Sequence, residues 1–417
     1  MKVSKLVLAL VIVIIILAGL AAYFAYEAYF KPKPKIVTLT VIGPWSGPEM
    51  EAFLPALEEF EKRYPHIKVE YRIMRSEDLG MVLPAQFKAK TAIGDVMFIA
   101  WPWFVAEMAK KGHLLEITDI IDPADYWPRE FVDVVTIDGR IYAVPYAAWV
   151  KPGFWYRKSF FKKHGLKPPA NYEEFKGLLA KLKDILGPKR AIASGDGVGW
   201  PLSDVTEHFL IYFGGTELWK DLIAGKVDWT KDARVRKAFD ELTALLKEGY
   251  FSDPADWTIR LTEWWEGKYG IYFMGNWIIG MVKKPEDLGL FPLPGIKGIV
   301  IGSDWIFIPK YTKYPEEAKL LVKFLAGPKG QVIYCNKAGK VPTNIKVKPE
   351  DMAPFVKEQV EALKGLAALG DLDDTIGGKF QKTFWDQLKR LWVHPEELED
   401  VLAKIQEAYL ETIKKKP

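Results

Sequence analysis

Ile36-Val-Thr-Leu-Thr-Val-Ile42-Gly43-Pro44-Trp45-Ser46-Gly-Pro-Glu49 is the stretch that decides how this chain folds. Ile36 to Ile42 is rich in β-branched residues and closes on Gly43-Pro44, which predicts a strand. Ser46 and Glu49 have the spacing of a capping box, in which a hydroxyl and a carboxylate satisfy the first free amides of a helix. Met50, Phe53, Leu54, Leu57 and Phe60 then recur at helical spacing. A strand that runs straight into a capped helix is the first unit of β/α wiring.

The pattern continues outward. Ile67, Val69, Tyr71 and Ile73 alternate as a second strand, and Asp95 to Ala100 is short and apolar like a buried parallel strand. A helix from Phe104 stops at Gly112. Asn171 and Glu174 cap an amphipathic stretch through Phe175, Leu178, Leu179 and Leu182, and Arg234 to Gly249 reads as another helix. Tyr269 to Met274 is a strand, and Ile299 to Ile308 a strand pair or one bent strand. Tyr314-Pro315 opens a helix that ends at Gly327-Pro328, and Leu398, Val401, Leu402 and Ile405 mark a terminal amphipathic helix.

The chain has 417 residues, 49% hydrophobic and 27% charged, a globular profile of two to three domain-sized units. Its one cysteine, Cys335, excludes an intrachain disulfide, and no Cys/His array exists to hold zinc. Before Ile36, Lys2, Lys5, Lys31, Lys33 and Lys35 against Glu27 sum to +4, which equals the net charge of the whole chain. The body is therefore formally neutral and carries no nucleic-acid footprint. Few amide side chains beside abundant Lys and Glu suit a hot-environment, archaeal-type protein, although compositional drift explains this nearly as well.

Leu6 to Tyr26 contains no charge and is preceded by Lys2 and Lys5. A run of this length can cross a bilayer as a helix, and its basic start and small residues at Ala18, Gly19, Ala21 and Ala22 also suit a cleaved signal. The aromatic boundary at Tyr23, Phe24 and Tyr26 favours retention. Leu20 stands where a lipobox would need cysteine, so thioether acylation there is excluded. Pro32 and Pro34 make a short stiff spacer.

Five ordered motifs resemble the large extracellular solute-binding family of ABC importers, the group that includes maltose-binding protein. They are Phe60-Glu-Lys-Arg-Tyr-Pro65-His-Ile-Lys-Val69; Gly94 to Trp101 leading to Lys111-Gly-His-Leu-Leu-Glu-Ile117; Asp138-Gly-Arg-Ile-Tyr-Ala-Val-Pro-Tyr146 followed by Trp155-Tyr-Arg-Lys158; Gly267 to Trp277; and Trp385-Asp-Gln-Leu388. The resemblance covers nearly everything after Ile36. It implies a two-lobed, type II periplasmic-binding-protein-like α/β fold, each lobe a sandwich around a mostly parallel sheet, with the ligand cleft between lobes. Residues 1–35 would be the anchor or signal plus linker, 36–146 and 295–327 the first lobe, and 147–294 and 328–417 the second. Such proteins close about a hinge on their ligand.

Flat aromatic rings cover the C–H face of a pyranose while carboxylates and amides bind its hydroxyl rim. The chain has 16 Trp, many beside Gly, Pro or Asp at expected strand ends, although most tryptophans in any fold are core or boundary residues. Trp45 follows the first strand, where α/β loops meet ligands, with Ser46 and Glu49 beside it as hydroxyl binders or helix caps. Trp101 and Trp103 follow the third strand. There the chain departs from maltose-binding protein, with Pro102 and Trp103 where that protein has a carboxylate and an arginine, which argues against a maltose-type contact set. By resemblance, Trp277 and Trp385 match sugar-stacking rings. Trp200 lies in a cleft-lining Trp-Pro stretch that brings Asp204 and Glu207 as hydroxyl acceptors. Asp304 and Trp305 lie where the chain re-enters the first lobe, and Tyr146 lies at the first crossover.

Other signals carry little. Gly195-Asp-Gly-Val-Gly199 lacks the spacing of a phosphate cradle. Asp371, Asp373 and Asp374 do not complete a calcium loop, because the position that needs a bidentate Glu is Lys382; a solvated loop or helix cap is the expectation. The five histidines form no HExxH, and Cys335 reads as a small buried hydrophobe. The expected function is a binding module with no catalysis, no cofactor and no metal. Its expected partners are a small solute, a sugar first, the transmembrane subunits of a permease, and the membrane through residues 1–35. No nucleic acid is expected, and the chain is expected to act as a monomer on the extracytoplasmic side. The alternatives are a charged solute in the same fold and, further off, an exported glycosidase with two paired carboxylates.

Overall fold

The computed structural model describes residues 5–29, 35–363 and 365–414. Helix α1 covers Lys5–Tyr29 and takes in the apolar run expected to cross a bilayer. Among the described residues no helix is long and apolar enough to cross a membrane, so the structure does not carry that expectation further.

Two mixed sheets organise the rest. The strands in chain order are β1 Val37–Gly43, β2 Ile67–Ile73, β3 Val96–Ile99, β4 Ala143–Lys151, β5 Phe154–Arg157, β6 Ile192–Ala193, β7 Ile271–Phe273, β8 Leu288–Phe291, β9 Gly298–Phe307, β10 Val341–Pro342 and β11 Ala367–Gly370. The larger sheet runs β10-β4-β9-β3-β1-β2, with β11 added on β9; the smaller runs β8-β5-β7-β6. β1 pairs parallel with β2 and β3, β9 with β11, and β7 with β6. The pairs β9–β3, β9–β4, β10–β4, β7–β5 and β8–β5 are antiparallel.

The two-lobed α/β class stands, but the sheets are mixed rather than mostly parallel. The reason is β4 and β9, long strands buried along their whole length that lie antiparallel to each other. β4 leads within three residues into β5 of the smaller sheet, so it links the two. The stretch expected as a strand pair or bent strand is the single strand β9, with a register break between Ser303 and Trp305. A bulge of this kind re-aims the side chain it contains; here that residue is Asp304.

The helices that matter below are α2 Gly47–Arg63, α3 Ser76–Lys88, α4 Pro102–Lys110, α5 Trp200–Ile223, α6 Trp257–Trp265, α7 Pro328–Ala338, α8 Leu372–Ile376, α9 Gly378–Val393 and α10 Leu398–Ile413. Asn171 caps its helix by accepting from the Glu174 amide, as expected. Ser46 does not: it precedes α2 but makes no side-chain cap hydrogen bond. Helix α7 packs its Tyr334, Cys335 and Ala338 into the same core as β1 and α2, whereas the sequence reading put all of 328–417 with the second lobe. Cys335 is buried there, as expected of a small hydrophobe, and burial pushes its thiol pKa well up.

His208 on α5 is buried, its Nε2 accepting from the Leu293 amide at 3.0 Å, and burial pulls its pKa down to about 3. The folded state therefore excludes a proton that the unfolded chain takes up below about pH 6.5. Stability from this site is whole above that pH and drains by about 1.4 kcal/mol per pH unit on acidification toward the folded pKa. Melting curves of wild type and His208→Gln should show the variant less stable at neutral pH but with a shallower acid decline; parallel declines would rule the assignment out.

Candidate functional site

A cleft opens between the two sheets, the kind of interface where small-molecule pockets form. The ends of β1 and β3 bring Pro44, Trp45, Ala100 and Trp101, and the start of α3 brings Arg75, Ser76 and Glu77. The loop before α5 adds Val198 and Trp200, α6 begins with Trp257, and the turn after β7 supplies Trp277. Strand β4 contributes Trp149 and Lys151, the β9 bulge Asp304, the turn after α7 Lys340, α8 Asp374 and α9 Trp385. Loops at the ends of α/β strands are the expected place for a ligand.

Seven of the 16 tryptophans line this one cleft, too many for core filling to explain their placement. Trp277 is the hub of one wall, meeting Trp149 at 6.4 Å and 89°, Trp200 at 5.5 Å and 73°, and Trp257 at 6.4 Å and 82°. These near-perpendicular contacts suit aromatic quadrupoles. On another wall Trp101 leans on Trp385 at 6.2 Å and stacks on Trp103 at 5.8 Å and 19°. The rings are seated on glycines. A Cβ at Gly275 would stand 1.8 Å from Trp277, at Gly302 2.0 Å from Trp149, at Gly80 2.4 Å from Trp101, and at Gly199 2.8 Å from Trp385. Only a residue without a side chain lets each indole lie that close to the backbone.

Two buried lysines meet the cleft. Lys340 reaches Asp304 at 3.1 Å and Glu49 at 3.6 Å, with its ammonium 5.3 Å from the Trp45 ring. Desolvation opposes its charge, but Asp304 and Glu49 outweigh it and hold the pKa above the usual lysine value. Desolvation also raises Glu49, against the pull of Lys340. Glu49 is thus drawn to Lys340 instead of turning back to the amide of Ser46, which removes the carboxylate half of the expected capping box.

Lys151 hydrogen-bonds Asp204 and Asp371 and lies 4.8 Å from the Trp149 ring. Behind it Glu207 accepts from the Leu372 amide at 3.1 Å, and Asp373 from the Trp385 indole at 2.7 Å. Desolvation, opposed by Lys151, lifts Asp204 to about 8; desolvation and then Asp371 lift Asp373 to about 7. The expectation of a solvated loop at Asp371, Asp373 and Asp374 is corrected: Asp371 and Asp373 are buried. The cap half of that reading holds, since Asp371 accepts from the Asp374 amide at 3.1 Å.

Of the twelve site residues proposed from sequence, Trp45, Trp101, Trp200, Trp277, Asp304 and Trp385 line the cleft. The other six sit elsewhere. Ser46 is exposed outside it, and Trp103 lies behind Trp101. Tyr146 is in the core, its hydroxyl donating to the Gly330 carbonyl at 3.3 Å. Asp204 and Glu207 are buried in the Lys151 cluster behind the wall. Trp305 turns the other way, its indole donating to the Phe131 carbonyl at 2.9 Å, because neighbours on a strand face opposite sides and Asp304 takes the cleft side. Trp45 itself is almost fully buried among Phe53, Phe98 and Tyr334, and its Nε1 has no hydrogen-bond partner among the described residues. At 2% exposure it gives the cleft little of a stacking face.

Sequence reasoning missed Trp149, Trp257, Lys151 and Lys340. Trp257 had a usable signal, since it follows Pro254-Ala-Asp256 and so met the same criterion of a tryptophan beside Pro or Asp. Trp149 sits inside an apolar run, and nothing in a sequence marks a lysine as buried.

Comparison with known proteins points one way. A family described as bacterial extracellular solute-binding protein matches residues 44–332. A protein of Pyrococcus horikoshii described as an uncharacterized ABC transporter extracellular-binding protein is 51% identical over 376 residues, 90% of this chain and 89% of its own. The alpha-glucosides-binding periplasmic protein AglE of Rhizobium meliloti is 26% identical, over 67% of this chain and 62% of its own. Among solved structures, a chitin oligosaccharide binding protein superposes with a TM-score of 0.77 over 91% of this chain and 99% of its own. At 21% identity that last likeness is one of fold.

Proposed function

The chain belongs to the bacterial extracellular solute-binding protein family, the solute-binding component of ABC transporters, and from that premise we propose that its solute is a neutral sugar. The observation that carries this is the ring of tryptophans on the cleft. Trp101, Trp200, Trp277 and Trp385 supply faces for the C–H surfaces of sugar rings. Asp304 and Glu49, which line the cleft, accept from hydroxyls.

The charges favour a neutral solute over a charged one. Lys340 is already matched by Asp304 and Glu49, and Lys151 by Asp204 and Asp371, while the remaining lining cation, Arg75, has the carboxylate of Glu77 beside it to offset its charge. The first lobe is built on β1, β2 and β3 with α7, the second on β5 to β8, and β4 and β9 run between them as the hinge. Sugar that touches both walls stabilises the closed form by its extra affinity for it, and the closed form docks on the permease subunits. Residues 1–35 serve as the export segment, in keeping with the exposed apolar side chains from Ile12 to Leu17. N-terminal sequencing of membrane fractions distinguishes a retained tether from a cleaved leader.

The test is a thermal-shift screen of the body from Ile36 onward against mono-, di- and oligosaccharides, polyamines and phosphate esters. At a sugar concentration about 100 times Kd, binding adds about 2.7 kcal/mol by mass action, a clear rise in Tm. A response confined to charged ligands would refute the sugar assignment, and turnover of a glycoside would overturn the binding-only reading.

A further inference from the structure

Behind the tryptophan wall, the start of α5 and the segment around α8 bring five carboxylates together: Asp204, Glu207, Asp371, Asp373 and Asp374. Lys151 is the ammonium beside them, and among the described residues it hydrogen-bonds Asp204 and Asp371 alone. One positive charge among five carboxylates in a water-poor site leaves a large excess of negative charge, which a protein relieves by protonation or by a cation. Three oxygens here have no hydrogen-bond partner among the described residues: Asp204 Oδ2, Glu207 Oε2 and Asp373 Oδ1, all on side chains no more than 1% exposed.

Glu207, Asp371 and Asp373 each present one carboxylate oxygen within 4.8 Å of the others. Oxygens bound to one calcium ion at about 2.4 Å stand no more than about 4.8 Å apart. The spacing therefore admits a single shared ion. All three donors are hard oxygens with no nitrogen or sulfur among them, the set that selects calcium or magnesium over transition metals. Magnesium demands near-ideal octahedral geometry and usually keeps several waters, whereas calcium accepts irregular coordination by carboxylates from separate segments such as these. Asp374, at the edge of the cluster, lines the cleft and marks a way in for the ion.

We propose that Glu207, Asp371 and Asp373 form a calcium site that fastens the 371–374 segment to α5. The calcium-loop count from sequence missed it because Glu207 comes from a distant helix and not from the loop. The site has a consequence for the cleft. Asp373 also accepts from the Trp385 indole at 2.7 Å, so an ion that fixes Asp373 fixes the orientation of a cleft ring. The site stands whatever the solute proves to be, because none of its three ligands lines the cleft.

The competing arrangement is a proton shared between Glu207 and Asp373, and the two respond oppositely to the same change. The full chain is stripped with a chelator and re-supplied with calcium chloride, with sodium chloride of equal ionic strength as control. Calcium content by elemental analysis should be one equivalent, and Tm should rise with calcium and not with sodium. Glu207→Gln should abolish both the bound calcium and the Tm response, and should melt below wild type in calcium. Retention of no calcium by wild type, or a Tm equal in chelator and calcium, overturns the proposal; so does a response to magnesium alone. Should Glu207→Gln fail to fold, the wild-type content and Tm response decide the matter alone. Failure here leaves the sugar screen untouched, since that screen reads a different ligand.

Discussion

Lys151→Met is expected to lower stability at about pH 7.5 by about 3–5 kcal/mol, the range seen when one partner of a buried ion pair is removed. Lys151 is 4% exposed and hydrogen-bonds Asp204 and Asp371, and its ammonium also faces the rings of Trp149 and Trp200. Methionine keeps most of the volume but strands the carboxylates. The deficit should shrink as pH falls. Desolvation already raises Asp204 and Asp373 above their unfolded value, against the pull of Lys151. An acid whose folded pKa is raised favours the fold when protonated, and that advantage is lost as pH rises from the unfolded pKa through the folded one. Without Lys151 the folded values climb further, so acidification to about pH 5 recovers more stability in the variant than in wild type. Adding Asp204→Asn and Asp371→Asn should restore much of the loss, because replacing a whole buried pair costs far less than breaking it. Urea unfolding at both pH values reads all of this; a variant as stable as wild type near neutrality would show that the cluster holds its charge balance without the lysine.

What sequence could and could not show divides along a physical line. The β1–α2 opening was legible because alternation and helical spacing are local properties of the backbone. So was the site's aromatic character, because a tryptophan beside glycine at a strand end tends to lie over that glycine, as Trp277 does over Gly275. The charges were not legible. Lys340 and Glu49 are far apart in the chain, and only folding brings them within 3.6 Å; the local pattern therefore promised a capping box that the tertiary pairing dissolved. Asp371 to Asp374 looked solvated for the same reason, since burial came from α5, a partner no local window contains. Strand direction failed likewise. The β9 stretch read correctly as extended, but β4 was not singled out as a strand, and whether the two lie parallel or antiparallel depends on the path of the chain through both sheets.

Trp277→Ala is expected to weaken sugar binding by about 100-fold, or about 2.7 kcal/mol, the scale of an interface hot spot. Trp277 meets Trp149, Trp200 and Trp257 edge to face, so its removal takes away one stacking face and unseats three neighbours. That coupling makes it larger in effect than any single ring at the rim. Trp277→Phe, which keeps a smaller ring on the Gly275 seat, should lose an intermediate amount. Gly275→Ala should behave like a loss of the ring even though the tryptophan remains, because its Cβ would occupy space 1.8 Å from the indole. Trp305→Phe is the control: that ring faces Phe131 and not the cleft, so sugar affinity should hold while stability falls modestly. Calorimetric titration of the four variants separates the cases. Wild-type affinity in Trp277→Ala would move the stacking platform to the Trp101–Trp385 wall, where the same series can be repeated on Gly80 and Gly199, the glycines that seat those two rings.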